Sequence, residues 1–202
     1  RYATGRFALL GVVVALLTFM VVMLSGLTLG LQSASISAVR ALPVDHLALA
    51  QPAPGQEPSF ADSSISATTV AASGETAGVR AAYPLGISSA QLRADAGAAA
   101  VSVFGTDAAL FPSTRDGQPG LGGLAVSSEL AQAQHLRVGD AVVVNGVRLR
   151  VSAIVAATSF NHLDVVYTGF ATWQALSRST SATAIALRLD STHAALPGEV
   201  RV

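Results

Sequence analysis

The sequence predicts an α+β protein in which one N-terminal transmembrane helix with a stalk, residues 1–42, precedes a domain of small sheets and short helices, residues 43–202. Two patterns lead to this fold class. Positions 7–31 form an apolar run of 25 residues without a charge, Pro, Asn or Gln. Positions 145 and 146 form an Asn-Gly turn, the strongest short hairpin signal, and apolar and polar residues alternate in the strand that follows it.

Length and composition limit the classes of protein to which the chain can belong. The 202 residues suffice for one membrane segment and one domain of ordinary size. Net charge is zero and no long basic run occurs, so the chain lacks the electrostatic footprint of a nucleic-acid binder. Cysteine is absent, which excludes disulfides, thiolate metal sites and a cysteine nucleophile. Its absence suits an exported domain, and equally an alanine-rich proteome that uses little cysteine.

The apolar run from Phe7 to Leu31 is long enough to cross a bilayer. A helix of that length measures about 37 Å at about 1.5 Å per residue, and the hydrocarbon core is about 30 Å thick. A signal peptide is the alternative, because Arg1 and Arg6 precede the run and Ser33-Ala34-Ser35 resembles a cleavage site. The apolar core of a signal peptide spans about 7–15 residues. The longer run here therefore favours a retained membrane helix.

Charge and helix signals set the orientation and the stalk. Two arginines precede the run and none follows until Arg40, so the N-terminus is predicted in the cytoplasm and the domain outside. From Gln32 to Leu42 there is no Gly or Pro, and Pro43 supplies a stop. The helix is therefore expected to project beyond the membrane as a stalk of two or three turns.

Small residues mark one face of the membrane helix near its outer end. Gly26 and Gly30 form a G-x-x-x-G pair flanked by Ser25 and Thr28. Small side chains at this spacing let a second helix approach closely, which makes the four residues a candidate helix-packing surface. Glycine is also common in membrane helices generally, so chance occurrence remains the alternative.

The first half of the domain shows weaker patterns, punctuated by Pro and Gly. A loop at 51–59 contains three prolines and one glycine, and a weak helix is expected within 63–78. The Gly-rich stretch 105–123 reads as a long loop. Strands are expected at 46–50, 79–85, 91–93 and 99–104, the last two joined through Asp95-Ala96-Gly97.

The clearest local signals lie between Leu124 and Val155. Ser127 or Ser128 caps a predicted helix that runs to about His135. The turn Val138-Gly139-Asp140 then leads into a strand at 141–144, the Asn-Gly turn and a return strand. In the return strand one side holds Val147, Leu149, Val151 and Ala153, and the other holds Arg148, Arg150 and Ser152.

Three further elements complete the domain. A strand is predicted at 165–168 and a helix at 171–177, with Trp173 fastening that helix to the sheet. A last strand is predicted at 184–189. In it Ile185, Leu187 and Leu189 point inward, opposite Arg188 and Asp190.

No motif of a self-contained enzyme is present. The chain has no lysine and no G-x-x-x-x-G-K-[ST] loop, so it cannot itself bind ATP in that mode, and it has no G-x-S-x-G elbow. Its four histidines lie far apart, without metal-binding spacing: His46, His135, His162 and His193. We therefore predict no catalytic residue, no metal ligand and no cofactor in this chain.

The order of these parts resembles the MacB/FtsX-type permeases of ABC transporters. The segment LAVSSELAQAQHLRVGDAVVVNGVRLRVSAI is similar to that family's periplasmic core, with a short helix, a Val-Gly-Asp turn and a hairpin. Four further segments resemble the haem-exporter permease branch (HrtB/DevC-like) more specifically: RFALLGVVVALLTFMVVMLSGLTLGL, SFADSSIS, YPLG and YTGFATWQAL.

The resemblance implies a permease subunit of an exporter in the cell membrane. It implies a homodimer, two cytoplasmic P-loop ATPase partners that bind the ATP, and a hydrophobic or amphipathic substrate, with haem as the branch-level candidate. Ser25, Gly26, Thr28 and Gly30 would pack at a dimer or substrate cleft, and Gln32 and Arg40 would couple the stalk. Such permeases carry three further membrane helices, so this chain, which stops at Val202, is expected to be a fragment or a truncated relative.

Two other classes of protein remain open. A membrane-fusion or adaptor protein is suggested by the RVGDAVVVNG hairpin, but the paired lipoyl-like halves and the coiled-coil hairpin of such proteins are not visible. A single-pass, membrane-anchored sensor or binding module is the other alternative. Three more apolar spans after Val202 would exclude the sensor.

Overall fold

The computed structural model describes residues 11–25 and 37–190. Helix α1 covers residues 11–25, and its large apolar side chains are 47–64% exposed. In the part of the chain so described, no helix combines the length and the apolar character required to cross a membrane. Ser25 is the last described residue of α1 and is exposed. Gly26, Thr28, Gly30 and Gln32 lie outside the described residues.

Residues 37–190 contain four further α-helices, one 3-10 turn and ten strands. The helices are α2 Ser37–Arg40, α3 Ala67–Gly74, α4 Ser128–Ala133 and α5 Phe170–Ser177, and the 3-10 turn is Ala108–Leu110. The strands are β1 His46–Ala48, β2 Val79–Ala94, β3 Gly97–Thr106, β4 Thr114–Gly117, β5 Leu124–Ser127, β6 Ala141–Val144, β7 Val147–Val155, β8 Ser159–Phe160, β9 Leu163–Gly169 and β10 Ala184–Leu189.

The ten strands form one mixed sheet, so the prediction of several small sheets was wrong. Its order is β1-β10-β2-β3-β9-β5-β7-β4, with β8 added to β9. Strand β6 pairs with both β2 and β7, which closes β2, β3, β9, β5, β7 and β6 into a ring. Closure leaves these six strands without a free edge, and their inward side chains fill the interior. We call this the six-strand ring.

Strand β2 is longer than predicted because it belongs to two parts of the sheet. Residues up to Leu85 pair with β10, and residues from Gly86 onward pair with β3. The sequence predicted two separate strands because Gly86 interrupts the pattern of apolar residues. The glycine is required where it stands, since a Cβ there would lie 2.3 Å from the Trp173 ring.

The stretch 105–123 is only partly a loop. Strand β3 continues to Thr106, the 3-10 turn follows, and β4 pairs with the end of β7. Strand β5, which follows this stretch, is buried at every residue and was also not predicted. Both short strands are formed by pairing with β7, so local sequence gave little signal for them.

The strongest local predictions are confirmed. The Ser127 hydroxyl caps α4 by accepting the Leu130 N–H at 3.2 Å. Asn145 and Gly146 have φ of 46° and 84°, as a two-residue hairpin turn requires. Burial along β7 alternates as predicted, and β10 has the predicted bounds. Strand β10 is buried on both sides, however, because Ala184 and Ala186 are as buried as Ile185 and Leu187.

Candidate functional site

Residues 37–42, the described part of the predicted stalk, are fastened to the domain. Helix α2 lies against β8, and Ala38 is fully buried. Leu42, four residues further on, is also buried, so the two side chains share one face of this segment. Both belong to the apolar cluster that includes Val165 and Tyr167 of β9. We call this contact the stalk-docking site.

Two serines hold α2 to the edge of β8. The Ser37 hydroxyl accepts the backbone N–H of Ser159 at 2.8 Å and donates to the backbone carbonyl of Ser159 at 3.1 Å. The two hydroxyl oxygens lie 3.3 Å apart. Strand β8 pairs in turn with β9 across a tight turn at Asn161 and His162. Helix α2 is therefore linked through β8 to β9, a strand of the six-strand ring.

A chain of aromatic rings runs inward from the stalk-docking site. Phe160 of β8 contacts Phe60 and Phe104 edge to face, with ring centroids 5.7 and 5.4 Å apart. Phe104 contacts Tyr167 in the same way at 5.6 Å. Such pairs prefer this geometry and add about 0.5–1.5 kcal/mol each beyond simple burial. The four rings therefore form one continuous, closely packed cluster beneath the stalk-docking site.

Tyr167 is the buried polar member of this cluster. Its hydroxyl donates to the Thr158 hydroxyl at 3.2 Å. Burial raises the pKa of Tyr167 to about 12, and the hydrogen bond with Thr158 opposes that shift. The ionised phenolate is disfavoured here because it would lose its hydration.

Alkaline pH is expected to destabilise the folded protein through Tyr167. The unfolded phenol releases its proton near pH 10.0 and the folded one near 12, so the free energy of unfolding falls as pH rises through this window. The slope is about 1.4 kcal/mol per pH unit for one group. Urea unfolding of Tyr167→Phe in mild detergent, at pH 9 and 11.5, is expected to lose less stability over this interval than wild type. Equal losses in the two proteins would contradict the assignment.

Arg188 of β10 joins this strand to the start of the domain. Its Nε donates to the Pro43 carbonyl at 2.8 Å and its Nη2 donates to the Ala109 carbonyl at 2.9 Å. The guanidinium also lies 5.7 Å from the centre of the Tyr83 ring. Beside it, Asp45 accepts the Leu189 N–H at 2.8 Å through Oδ2. Residues 43–45 and 187–189 therefore form one hydrogen-bonded junction.

Replacement of Arg188 by lysine is expected to lower the free energy of unfolding by about 1–2 kcal/mol, because one ammonium cannot serve both carbonyls and the ring. The value lies low in the range for charged hydrogen bonds because Arg188 is half-buried. Urea unfolding followed by the fluorescence of the single tryptophan measures the change. Arg80→Lys, at an exposed position of β2, is the control. A loss no larger than that of the control would rule out the proposed bridge.

The stalk and the coupling role of Gln32 and Arg40 stay predictions, and the sequence did not indicate the residues that fasten α2 to the domain. Arg40 lies at the end of α2 and is exposed, while the contacts are made by Ser37, Ala38 and Leu42. The spacing of Ala38 and Leu42 was a readable signal for a buried stripe. Nothing in the sequence pointed to Ser37, and Arg188 was read simply as a solvent-facing residue.

The described ranges 11–25 and 37–190 contain no group of three or more His, Asp or Glu side chains placed to hold a metal ion. That the chain has no catalytic or metal-binding residue stays a prediction. The candidate site that the described residues offer is the contact of α2 with β8.

Comparison with known families gives this arrangement a context. The profile of the MacB-like periplasmic core domain matches residues 7–197, nearly the whole chain. This chain belongs to that family. The match begins at Phe7, the first residue of the apolar run, so the predicted membrane segment and the domain fall within one family unit.

Solved structures of MacB-like domains share the fold. The extracellular domain of the noncanonic ABC-type transporter YknZ from Gram-positive bacteria is 12% identical, with a TM-score of 0.58 over 73% of this chain and 84% of that one. The periplasmic region of MacB from Actinobacillus actinomycetemcomitans is 13% identical, with a TM-score of 0.57 over 77% and 81%. A search of curated proteins found no match.

The family match and the two solved structures support two predictions, the resemblance to MacB/FtsX-type permeases and an extracytoplasmic domain of mixed α and β structure. The haem-exporter branch is not supported by these comparisons and stays a prediction, as do the homodimer and the packing role of Ser25, Gly26, Thr28 and Gly30.

Proposed function

We propose that this chain is a permease subunit of an ABC-type exporter, set in the cell membrane by the helix predicted at Phe7–Leu31. The N-terminus lies in the cytoplasm, the MacB-like domain lies outside, and two copies pair through their membrane helices. ATP is bound and hydrolysed by a separate cytoplasmic P-loop ATPase. The observation that carries the proposal is the family match over residues 7–197, which unites the apolar segment and the domain. The exposed apolar side chains all round α1 support its burial in lipid.

The stalk-docking site gives this permease a route for mechanical coupling. Movement of the membrane helix reaches α2, passes through the paired hydrogen bonds of Ser37 and Ser159, and enters β9. The junction of residues 43–45 with 187–189 fixes the segment after α2 to strand β10. The domain is thus expected to move as one body with α2, since a bonded and packed contact transmits displacement without slack.

The substrate class follows from the same route. We infer that movement of the outer domain expels a hydrophobic or amphipathic molecule from the outer leaflet of the membrane. Haem is the candidate substrate that the haem-exporter resemblance names. In this proposal haem is cargo and no resident cofactor is assigned to the chain.

Purification of the native protein from its own membranes in mild detergent tests the proposal. We expect a P-loop ATPase to co-purify and the permease to stimulate its ATP hydrolysis. A preparation without an ATPase, in which the chain binds its ligand alone, would overturn the permease assignment. That result would favour the anchored sensor, binding or adaptor module.

A disulfide across the stalk-docking site tests rigid coupling. The chain has no cysteine, so Ser37→Cys with Ser159→Cys creates a single pair, and the serine oxygens already lie 3.3 Å apart. We expect the oxidised protein to keep the ATPase stimulation of the reduced protein, because the lock only fixes an existing contact. Loss of stimulation on oxidation, restored by reductant, would instead show that α2 must leave β8 during the cycle.

A further inference from the structure

The outer surface of the six-strand ring is covered at one end and bare at the other. Near the stalk, outward side chains such as Phe104 and Val155 are buried under α2 and the loops beside it. At the far end, outward side chains of β2, β3, β6 and β7 face solvent. We call this region the arginine face: Gln91, Arg93, Ala98, Ala100, Ala141, Val143, Arg148 and Arg150.

Strand register sets its three arginines side by side. Arg93 of β2 pairs with Val143 of β6, and Val143 pairs with Arg148 of β7. Arg93 and Arg148 are therefore two strand spacings apart, about 10 Å, and Arg150 lies two residues along β7, about 7 Å from Arg148. Directly paired residues project on the same side of a sheet. Three positive charges thus share one exposed surface.

These charges have no acidic counterpart on the arginine face. The Arg93 guanidinium donates to Gln91 Oε1 at 3.4 Å and that of Arg150 donates to the Gly139 carbonyl at 3.0 Å. Within residues 11–25 and 37–190, none of the three forms an ion pair. The carboxylates at the rim are Asp95, in a turn, and Asp140, which accepts the Arg137 N–H.

We propose that the arginine face docks the acidic surface of a partner protein outside the cell membrane. The location rests on the proposed function. Arginine presents a planar fork of donors that matches carboxylates in pairs, and it is enriched in protein interfaces. The alanines between the arginines leave the sheet backbone open to close approach. The charge therefore selects a carboxylate-rich partner and the small side chains let it make contact.

Two other occupants are separated from a partner protein by the test below. A second copy placed on this face by two-fold symmetry would set arginine against arginine, which costs energy in an interface. Lipid phosphates also suit arginine, and binding to them would give an adduct to lipid instead of an adduct to protein.

Crosslinking from a single cysteine tests the docking. In the full chain in its native membranes, Ala100→Cys carries a benzophenone label on the arginine face, and Ala71→Cys carries it on exposed α3 as the site control. We expect a protein adduct from position 100 that falls about tenfold or more in Arg93→Glu with Arg148→Glu, as like charges then meet. Reversing the acidic residues of the captured partner is expected to restore the adduct.

The charge control is Arg80→Glu with Arg178→Glu, which makes the same net change at exposed positions elsewhere and is expected to leave the adduct unchanged. Thermal unfolding of both double variants checks that they fold, and Arg93→Gln with Arg148→Gln removes the charge without reversing it. An adduct to lipid or to a second copy, equal loss in both doubles, or no adduct above the Ala71→Cys level would overturn the proposal. Co-purification of the ATPase is independent of this result, so the two failures can be told apart.

Discussion

Replacement of Trp173 by alanine is expected to lower the free energy of unfolding by about 3–5 kcal/mol, the largest effect of any single truncation in the domain. Trp173 is 1% exposed and its Nε1 donates to the Ser88 hydroxyl at 2.9 Å. The ring stacks on Phe170 at 5.5 Å. Truncation would leave a cavity between α5 and the strands β2 and β3, with the Ser88 hydroxyl deprived of its donor.

The site of Trp173 is shaped by a pair of glycines, which makes a double-mutant test possible. Gly86 and Gly105 pair across β2 and β3, and an added Cβ would lie 2.3 Å and 2.0 Å from atoms of Trp173. Gly105→Ala is therefore expected to cost about 1–3 kcal/mol in wild type and clearly less in the Trp173→Ala background. Urea unfolding followed by circular dichroism measures all four proteins. If the two costs are additive, Gly105 is required by the strand itself and not by its contact with the Trp173 ring.

Ala38→Glu is expected to release α2 from the domain, because it places a charge where the wild-type residue is fully buried. Burial of an unpaired carboxylate costs several kcal/mol, more than a four-residue helix gains from its contacts, so the segment detaches while the ring stays folded. Hydrogen exchange of the Ala41 amide, which bonds the Ser37 carbonyl at 3.0 Å, is expected to accelerate about a hundredfold or more.

The matched control for Ala38→Glu is Ala41→Glu, which puts the same charge in the same segment at an exposed position. Its exchange and its stimulation of the ATPase are expected to stay near wild type, whereas Ala38→Glu is expected to lose stimulation. If Ala38→Glu stimulates normally with α2 released, the stalk-docking site has no part in coupling.

Much of the local structure was predictable because neighbouring residues decide it. The Asn145-Gly146 turn fixes the pairing of β6 with β7, and Ser127 fixes the start of α4. The outward position of Arg148 and Arg150 followed from alternation alone. The MacB-like family was recognised from this same region, because its signals are turns, caps and alternation that survive in the sequence.

The sequence by itself therefore determined the apolar N-terminal segment, the β6–β7 hairpin, the tryptophan-bearing helix and the family. Only the tertiary structure decided that β2 runs unbroken, that Leu92 pairs with Val144 to close the six-strand ring, that α2 docks on β8, and that three arginines share a face. The physical reason is separation along the chain. A turn or cap is stabilised by adjacent residues, but Ser37 and Ser159 meet across 122 positions, and only burial of the whole core offsets the entropy of bringing them together.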